Sequence, residues 1–250
     1  MRTRTTIFLM ILLALSAATT LADESRMLAD ELANAPGRSD EDKAHDAQRK
    51  PDQVLTFIGV RAGDTVLDIW SSGGWYTEVF SIAVGPDGKV YSQNSEAVLN
   101  WRDGHYDTLL TARLDGNRLH NVERVDSAVA DMAVTPGSVD VAFTAQNFHD
   151  VYNRRGKEAA AEFLAAVFDL LKPGGAFGLI DHVGDAGADN LSLHRIEPAL
   201  VEEVAGEVGF IIEAGSDLLA NPDDDHTLSV FDPEMRGATD RFILRLRKPE

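Results

Sequence analysis

The spacing of apolar and polar positions changes character many times along this 250-residue chain, and each change marks an element. An apolar run covers Ile7 to Ala18. Residues 23–45 are charged and alanine-rich and read as a helical or loose lead-in. Lys50 to Val60 place Val54, Leu55, Phe57 and Ile58 at helical intervals, with Pro51 suited to a first helical turn. Arg61 to Asp64 read as a turn, Thr65 to Trp70 as a buried strand, and Tyr76 to Val84 as a helix stopped by Gly85 to Gly88. Lys89 to Asn94 form the next strand. Helical spacing returns over 104–115, extended spacing over 121–126, and a strand over Ser138 to Ala145. Lys157 to Leu171 are an amphipathic helix closed by KPGG, Lys172 to Gly175. Ala176 to Asp181 are a strand, Glu197 to Gly209 a helix, and Phe210 to Ser216 and Arg241 to Lys248 two final strands. Strands that alternate with helices predict an α/β fold whose sheet is mostly parallel, with right-handed crossovers. The last two strands are separated only by an acidic, proline-containing loop and are expected to pair antiparallel.

The N-terminus reads as an address. Arg2 and Arg4 precede the apolar run, and Thr20-Leu21-Ala22 ends in a small residue before Asp23. That is a secretory signal pattern over residues 1–22, which predicts a periplasmic or secreted protein. An uncleaved anchor is the other reading, but the run falls short of the ~20 apolar residues a membrane span needs. The net charge of −18 grows more negative once the two arginines leave with the signal. Such a field repels nucleic acid and anionic membranes, so the expected partner is a small molecule. Charge of this size also serves solubility. The chain has no cysteine, which excludes thiol catalysis and Cys-based metal sites. The composition is silent on oligomeric state.

The segment LDIWSSGGWYTEV, Leu67 to Val79, carries the most specific signal. It joins the first strand to a helix, where ligands bind in open α/β sheets. With KVYSQN after it, LKPGGAFGLIDH (Leu171 to His182) and QNFHDVY (Gln146 to Tyr152), it resembles the class I S-adenosylmethionine-dependent methyltransferase family over nearly all the mature chain. HRIEP (His194 to Pro198) and the ending VFDPEMRGATDRFILRLRKP resemble, more narrowly, signal-bearing bacterial proteins of predicted methyltransferase type. The resemblance implies a Rossmann-like fold with a seven-stranded sheet over 46–250, after a lead-in over 23–45. It also implies S-adenosylmethionine as cofactor, held by Asp68, Trp70, Ser72, Gly73, Gly74, Asn94, Asp131 and Asn147.

This chain departs from the family pattern at three points. The family turn reads acidic-x-Gly-x-Gly-x-Gly; here the positions hold Asp68, Trp70, Ser72 and Gly74. Glycine serves such a turn by permitting positive φ and close backbone approach. Asn94 stands where the family places a carboxylate for the ribose hydroxyls. An amide offers one acceptor and one donor, at a loss of ~1–2 kcal/mol relative to a charged acceptor, or roughly tenfold in affinity. Ala128 stands near the position of an adenine-contacting acid, with Asp131 as the nearby substitute.

The catalytic candidates are His149, Asp150 and His182. His149 follows the fourth strand, where a histidine acts as general base toward a methyl acceptor. The structural alternative is that His149 caps the following turn and Asp150 N-caps a helix. Asp181 and His182 end the fifth strand at the same edge. Together with His149 and His194 they read as an acid–base or metal cluster, but their spacing fixes no metal geometry, and no metal is assigned. His194 and Arg195 read as a lid over the pocket or as a helix start. Asn221 to His226 (NPDDDH) read as a solvated acidic loop or a cation site. Three functions remain open: methyl transfer to a small acceptor, ligand binding without turnover, and a different chemistry in the same cleft. Export weighs against the first, because S-adenosylmethionine is a cytoplasmic metabolite.

Overall fold

The computed structural model describes residues 22–250. The signal segment expected over 1–22 lies outside them but for its last residue. Among the described residues, no helix is long and apolar enough to cross a membrane. The chain divides into two compact units after Phe57.

The first unit is helical: α1 over residues 22–34, α2 Asp40–Ala44, α3 Asp46–Arg49 and most of α4 Pro51–Ile58. Ser39 caps α2 by accepting the Asp42 N–H. Lys50 turns left-handed (φ 45°) and ends α3 just before Pro51 opens α4. Arg38 is buried and donates a two-pronged bond to Asp46, 2.7 Å on each arm, which ties the α1–α2 connection to α3. A planar guanidinium fits a carboxylate in this way.

In the second unit, from Ile58 onward, β1 (Thr65–Ile69), β2 (Lys89–Asn94), β3 (Val122–Asp126), β4 (Val139–Ala145), β5 (Leu171–His182), β6 (Ile211–Ser216) and β7 (Arg241–Arg247) form one sheet in the order β3-β2-β1-β4-β5-β7-β6. The first five run parallel. Strand β7 pairs antiparallel with both β5 and β6, as the helix-free final pair predicts. The helices are α5 (Trp75–Val84), α6 (Glu96–Leu99), α7 (Trp101–Leu114), α8 (Phe148–Leu170), α9 (Asn190–Leu193) and α10 (Pro198–Val208).

Strands β1 and β4 lie in the middle of the sheet, and their mostly apolar character follows from burial on both faces. Leu67, Ile69, Phe148, Leu164, Val167, Phe177, Val201 and Val204 belong to one core cluster with α8 and α10. On α5, Tyr76 and Phe80 pack their rings on Phe143 of β4, with centroids 4.6 and 5.1 Å apart. Burying each such ring is worth roughly 1.5–3 kcal/mol. Helix α8 begins at Phe148, not Lys157, and Gly156 (φ 87°, ψ 171°) breaks its backbone. The periodic stretch read from the sequence is therefore the second of two helical segments, and His149 lies in the first turn of the first. The C-terminal ends of the parallel strands bring Ile69, Asn94, Asp126, Ala145 and His182 to one edge of the sheet.

Candidate functional site

The turn after β1 repeats a left-handed backbone at every second residue: Trp70 (φ 50°), Ser72 (φ 54°) and Gly74 (φ 79°). These are the three positions at which the resembling family carries glycine. Two side chains thus sit in a conformation that costs an L-residue about 1–2 kcal/mol. The neighbouring strand supports the strain. The Trp70 N–H donates to Gln93 Oε1 (3.1 Å), the Ser71 N–H to Gln93 O (3.0 Å), and the Ser72 N–H to Asn94 Oδ1 (2.8 Å). Asn94 Nδ2 donates to Ser71 Oγ and Ser72 O. Asn94 is fully buried, and its amide clamps the turn with both atoms.

Asp68 is buried beneath the same turn. It accepts from Thr77 Oγ1 (2.7 Å), and Ser92 continues the chain of hydroxyls to Ser71. Burial raises the Asp68 pKa to about 7, against the Thr77 hydrogen bond that favours its charged form. The Trp70 ring stacks on Phe163 of α8 with centroids 4.6 Å apart. Gly73 and Gly74 let α7 approach. A Cβ at Gly73 would stand 3.0 Å from the Leu109 side chain, and one at Gly74 2.8 Å from Leu110. Arg113 of α7 donates to Gly73 O (2.9 Å) and pairs with the buried Glu78 of α5.

The ends of β4 and β5 carry a second constellation. Asp181 is fully buried and accepts three N–H groups: His149 N (2.8 Å), His149 Nδ1 (2.7 Å) and His182 N (2.8 Å). Burial alone would raise the Asp181 pKa, but the attraction and hydrogen bond of His149 outweigh it and lower it. Burial would likewise lower His149, but the Asp181 charge beside it brings the net shift upward. His182 is held neutral, because burial drives it down to about 3, and its Nδ1 is buried with no hydrogen-bond partner.

His149 Nε2 looks toward Asp150 Oδ1 at 3.7 Å. His194 Nδ1 lies 3.3 Å from the same oxygen, and the two imidazole centroids are 5.5 Å apart. His194 is itself left-handed (φ 57°), at the end of α9. Arg154 Nε also reaches Asp150 Oδ1, at 2.8 Å.

The structure thus brings His149, Asp150 and His182 to one edge, with Asp181 and His194. Asp68, Trp70, Ser72, Gly73, Gly74 and Asn94 gather around the first turn. Asn147 precedes α8 and donates from Nδ2 to Ala145 O (2.6 Å). It takes the N-cap position without a side-chain cap bond, and Asp150 lies inside the first turn. Asp131 is exposed on a short 3-10 turn after β3. Arg195, read as a lid residue, is instead fully buried. Its guanidinium pairs two-pronged with Asp224 (2.9 and 3.0 Å) and donates to Val183 O and Leu228 O. The acidic loop read at 221–226 therefore supplies one structural carboxylate. Gln93, which carries the Trp70 N–H, and the hydroxyls of Ser71, Thr77 and Ser92 were not singled out by sequence reasoning. The polar run Ser92-Gln93-Asn94 closing an otherwise buried strand was their signal.

No protein-family model and no curated protein matches the chain. Solved structures do. A SAM-dependent methyltransferase from Aquifex aeolicus is 19% identical with a TM-score of 0.60, over 82% of this chain and 93% of its own. The cyclase SpnF is 18% identical with a TM-score of 0.61, over 86% and 85%. Geranyl diphosphate C-methyltransferase from Streptomyces coelicolor A3(2) is 13% identical with a TM-score of 0.60, over 91% and 97%. These likenesses reach the fold and not the narrower signal-bearing group. With the strand order and the antiparallel β7, they establish that the chain adopts the Rossmann-like class I methyltransferase fold.

Proposed function

We propose that the protein is an S-adenosylmethionine-dependent methyltransferase acting on a small acceptor outside the cytoplasm. One observation carries the reading. The turn between β1 and α5 keeps its alternating left-handed backbone at Trp70, Ser72 and Gly74 even where glycine has been replaced. Strain of this kind persists where the surrounding structure holds it, and it gathers at binding sites. The backbone course fits the cofactor, and the donors around it fit less fully. Asn94 spends its amide on the turn, and Asp68 is turned inward to Thr77. The Ser72–Gly74 backbone and Asp131 would hold the cofactor, which supplies an electrophilic methyl group. Across the edge, His149 would take the proton released by the acceptor at Nε2, while Asp181 holds the ring through Nδ1. Alignment of donor and acceptor carries most of such a reaction.

One observation favours a second reading, a ligand-binding or otherwise catalytic protein on this fold. Gly73 and Gly74, which a cofactor would need for close approach, are already required by α7. The deciding experiment is calorimetric titration of the chain with S-adenosylmethionine and S-adenosylhomocysteine. Micromolar binding of both is expected. No heat at millimolar ligand would end the methyltransferase reading and leave the second.

A further inference from the structure

The His149 edge holds more than the general base of the methyl-transfer reading, because His149 Nε2 and His194 Nδ1 converge on the same Asp150 oxygen. His149 Nδ1 is committed to Asp181, so in the neutral ring Nε2 carries a lone pair. That lone pair faces the Asp150 carboxylate, and His194 Nδ1 converges on the same oxygen without forming a hydrogen bond. One ligand atom from each of His149, Asp150 and His194 lies within 4.8 Å of the other two. His149 is 3% exposed. Two imidazole nitrogens, one buried and one partly exposed, meet the oxygen of a half-exposed carboxylate, a donor set that attracts a cation.

We propose that His149 Nε2, His194 Nδ1 and the Asp150 carboxylate form a divalent transition-metal site. The donor chemistry selects its class. Imidazole with carboxylate suits Zn2+ and the neighbouring first-row ions, whereas an all-oxygen shell would suit Mg2+ or Ca2+. Three protein ligands leave a coordination position open, as in catalytic zinc sites. Asp181 supplies the outer partner such sites use, a carboxylate on the far nitrogen of a ligating histidine that fixes its tautomer and orientation. Donors around tetrahedral zinc stand roughly 3.3 Å apart, from bonds of about 2.0–2.1 Å. The present spacings to Asp150 Oδ1 are 3.3 and 3.7 Å, and the two imidazole nitrogens, within 4.8 Å of each other, would have to draw together. Arg154, about half exposed, also holds Asp150 Oδ1 and must yield or share it. The site lies beside the C-terminal ends of β4 and β5, the edge where this fold class binds ligands.

This inference goes beyond the methyl-transfer reading and does not need it. A metal on His149 Nε2 takes the nitrogen that would otherwise accept a proton. The test is calorimetric titration of the untagged full chain with Zn2+, together with the visible spectrum of the Co2+-loaded chain. One Zn2+ per chain is expected, with binding that weakens as pH falls and the imidazoles protonate. His194→Ala removes only a partly exposed ring and should weaken binding at least about tenfold and abolish the Co2+ bands. Asp150→Asn should act in the same direction. Asp181→Asn should cost about 10–100-fold through the outer partner. Asp225→Asn, in the exposed acidic loop, should change nothing. Absence of stoichiometric Zn2+ binding, or equal binding by wild type, His194→Ala and Asp150→Asn, overturns the site. A chain that binds Zn2+ but no S-adenosylmethionine keeps this site and loses the methyltransferase reading; the opposite pattern does the reverse.

Discussion

Ser72 and Trp70 share a left-handed backbone, but they differ in what their side chains contribute. Ser72 Oγ makes only a 3.3 Å contact with Trp70 O. Trp70 stacks its whole ring on Phe163. Glycine at either position relieves strain of about 1–2 kcal/mol and loses roughly 0.5–1 kcal/mol of that to the greater freedom of the unfolded chain. Ser72→Gly should therefore stabilise the fold by about 0.5 kcal/mol. Trp70→Gly should destabilise it by about 2–3 kcal/mol, because losing a large aromatic contact costs more than the strain it relieves. Urea midpoints measured side by side decide the matter, and two shifts of the same sign would show that the strain argument is wrong. The sequence made Trp70 and Ser72 visible as anomalies. It could not show that their backbone still follows the glycine path, because that path is imposed from β2 by Gln93 and Asn94.

At the scale of elements, the strands and helices were legible because burial leaves its mark in the periodicity. The strands appear close to their expected places, except that β5 begins at Leu171 and takes in the KPGG read as a helix stop, and the helix-free final pair announced its antiparallel pairing. Less legible were junctions whose residues serve two elements at once. The helix was read only from Lys157, because Gly156 interrupts the period, yet Phe148 to Arg155 are helical too and carry His149. Gly73 read as a cofactor glycine, yet its missing side chain lets α7 pack against the turn. This second use predicts an interaction between helices. Gly73→Ala should push Leu109 outward and cost about 1–3 kcal/mol, as overpacking does. Leu109→Ala alone should cost little, since Leu109 is 44% exposed. The double variant should recover only the part of the loss due to the end of the Leu109 side chain, because Leu109 Cβ, also 3.0 Å from the added methyl, remains. A double-mutant cycle that proves additive would remove α7 from the explanation.

On the scale of the whole molecule, the long connection from β5 through α9, α10 and β6 to β7 turns on one guanidinium. All five N–H donors of Arg195 are used: two on Asp224, two on Leu228 O and one on Val183 O. Asp224 in turn accepts the N–H of Asp240 and of His226. Both partners are buried, with side chains 0% and 1% exposed. A sequence reading places arginine and aspartate on the surface by default, because burying charge is costly. Nothing local to HRIEP or NPDDDH reveals that each is the other's partner 29 residues away. Such a pair adds little net stability compared with an apolar replacement of both residues, but breaking it leaves one buried charge alone. Arg195→Met should therefore cost about 3–5 kcal/mol. Arg195→Lys should recover only part of this, because an ammonium cannot reproduce a two-pronged contact and three carbonyl bonds together. Asp224 is the group left exposed to the consequence: its carboxylate, held below its usual pKa by Arg195 despite burial, would move upward in Arg195→Met. The loss of stability should then grow as pH rises from about 4 toward neutrality, where the unfolded chain has released that proton and the folded variant resists doing so. His194 precedes Arg195 directly, so the same break should loosen its approach to Asp150 and weaken Zn2+ binding without removing a ligand. Hydrogen exchange across residues 183–240, measured for both variants at pH 5 and pH 8, reads the prediction directly. Uniform protection in Arg195→Met at both pH values would mean that the connection is held by its apolar contacts and that the buried pair is incidental.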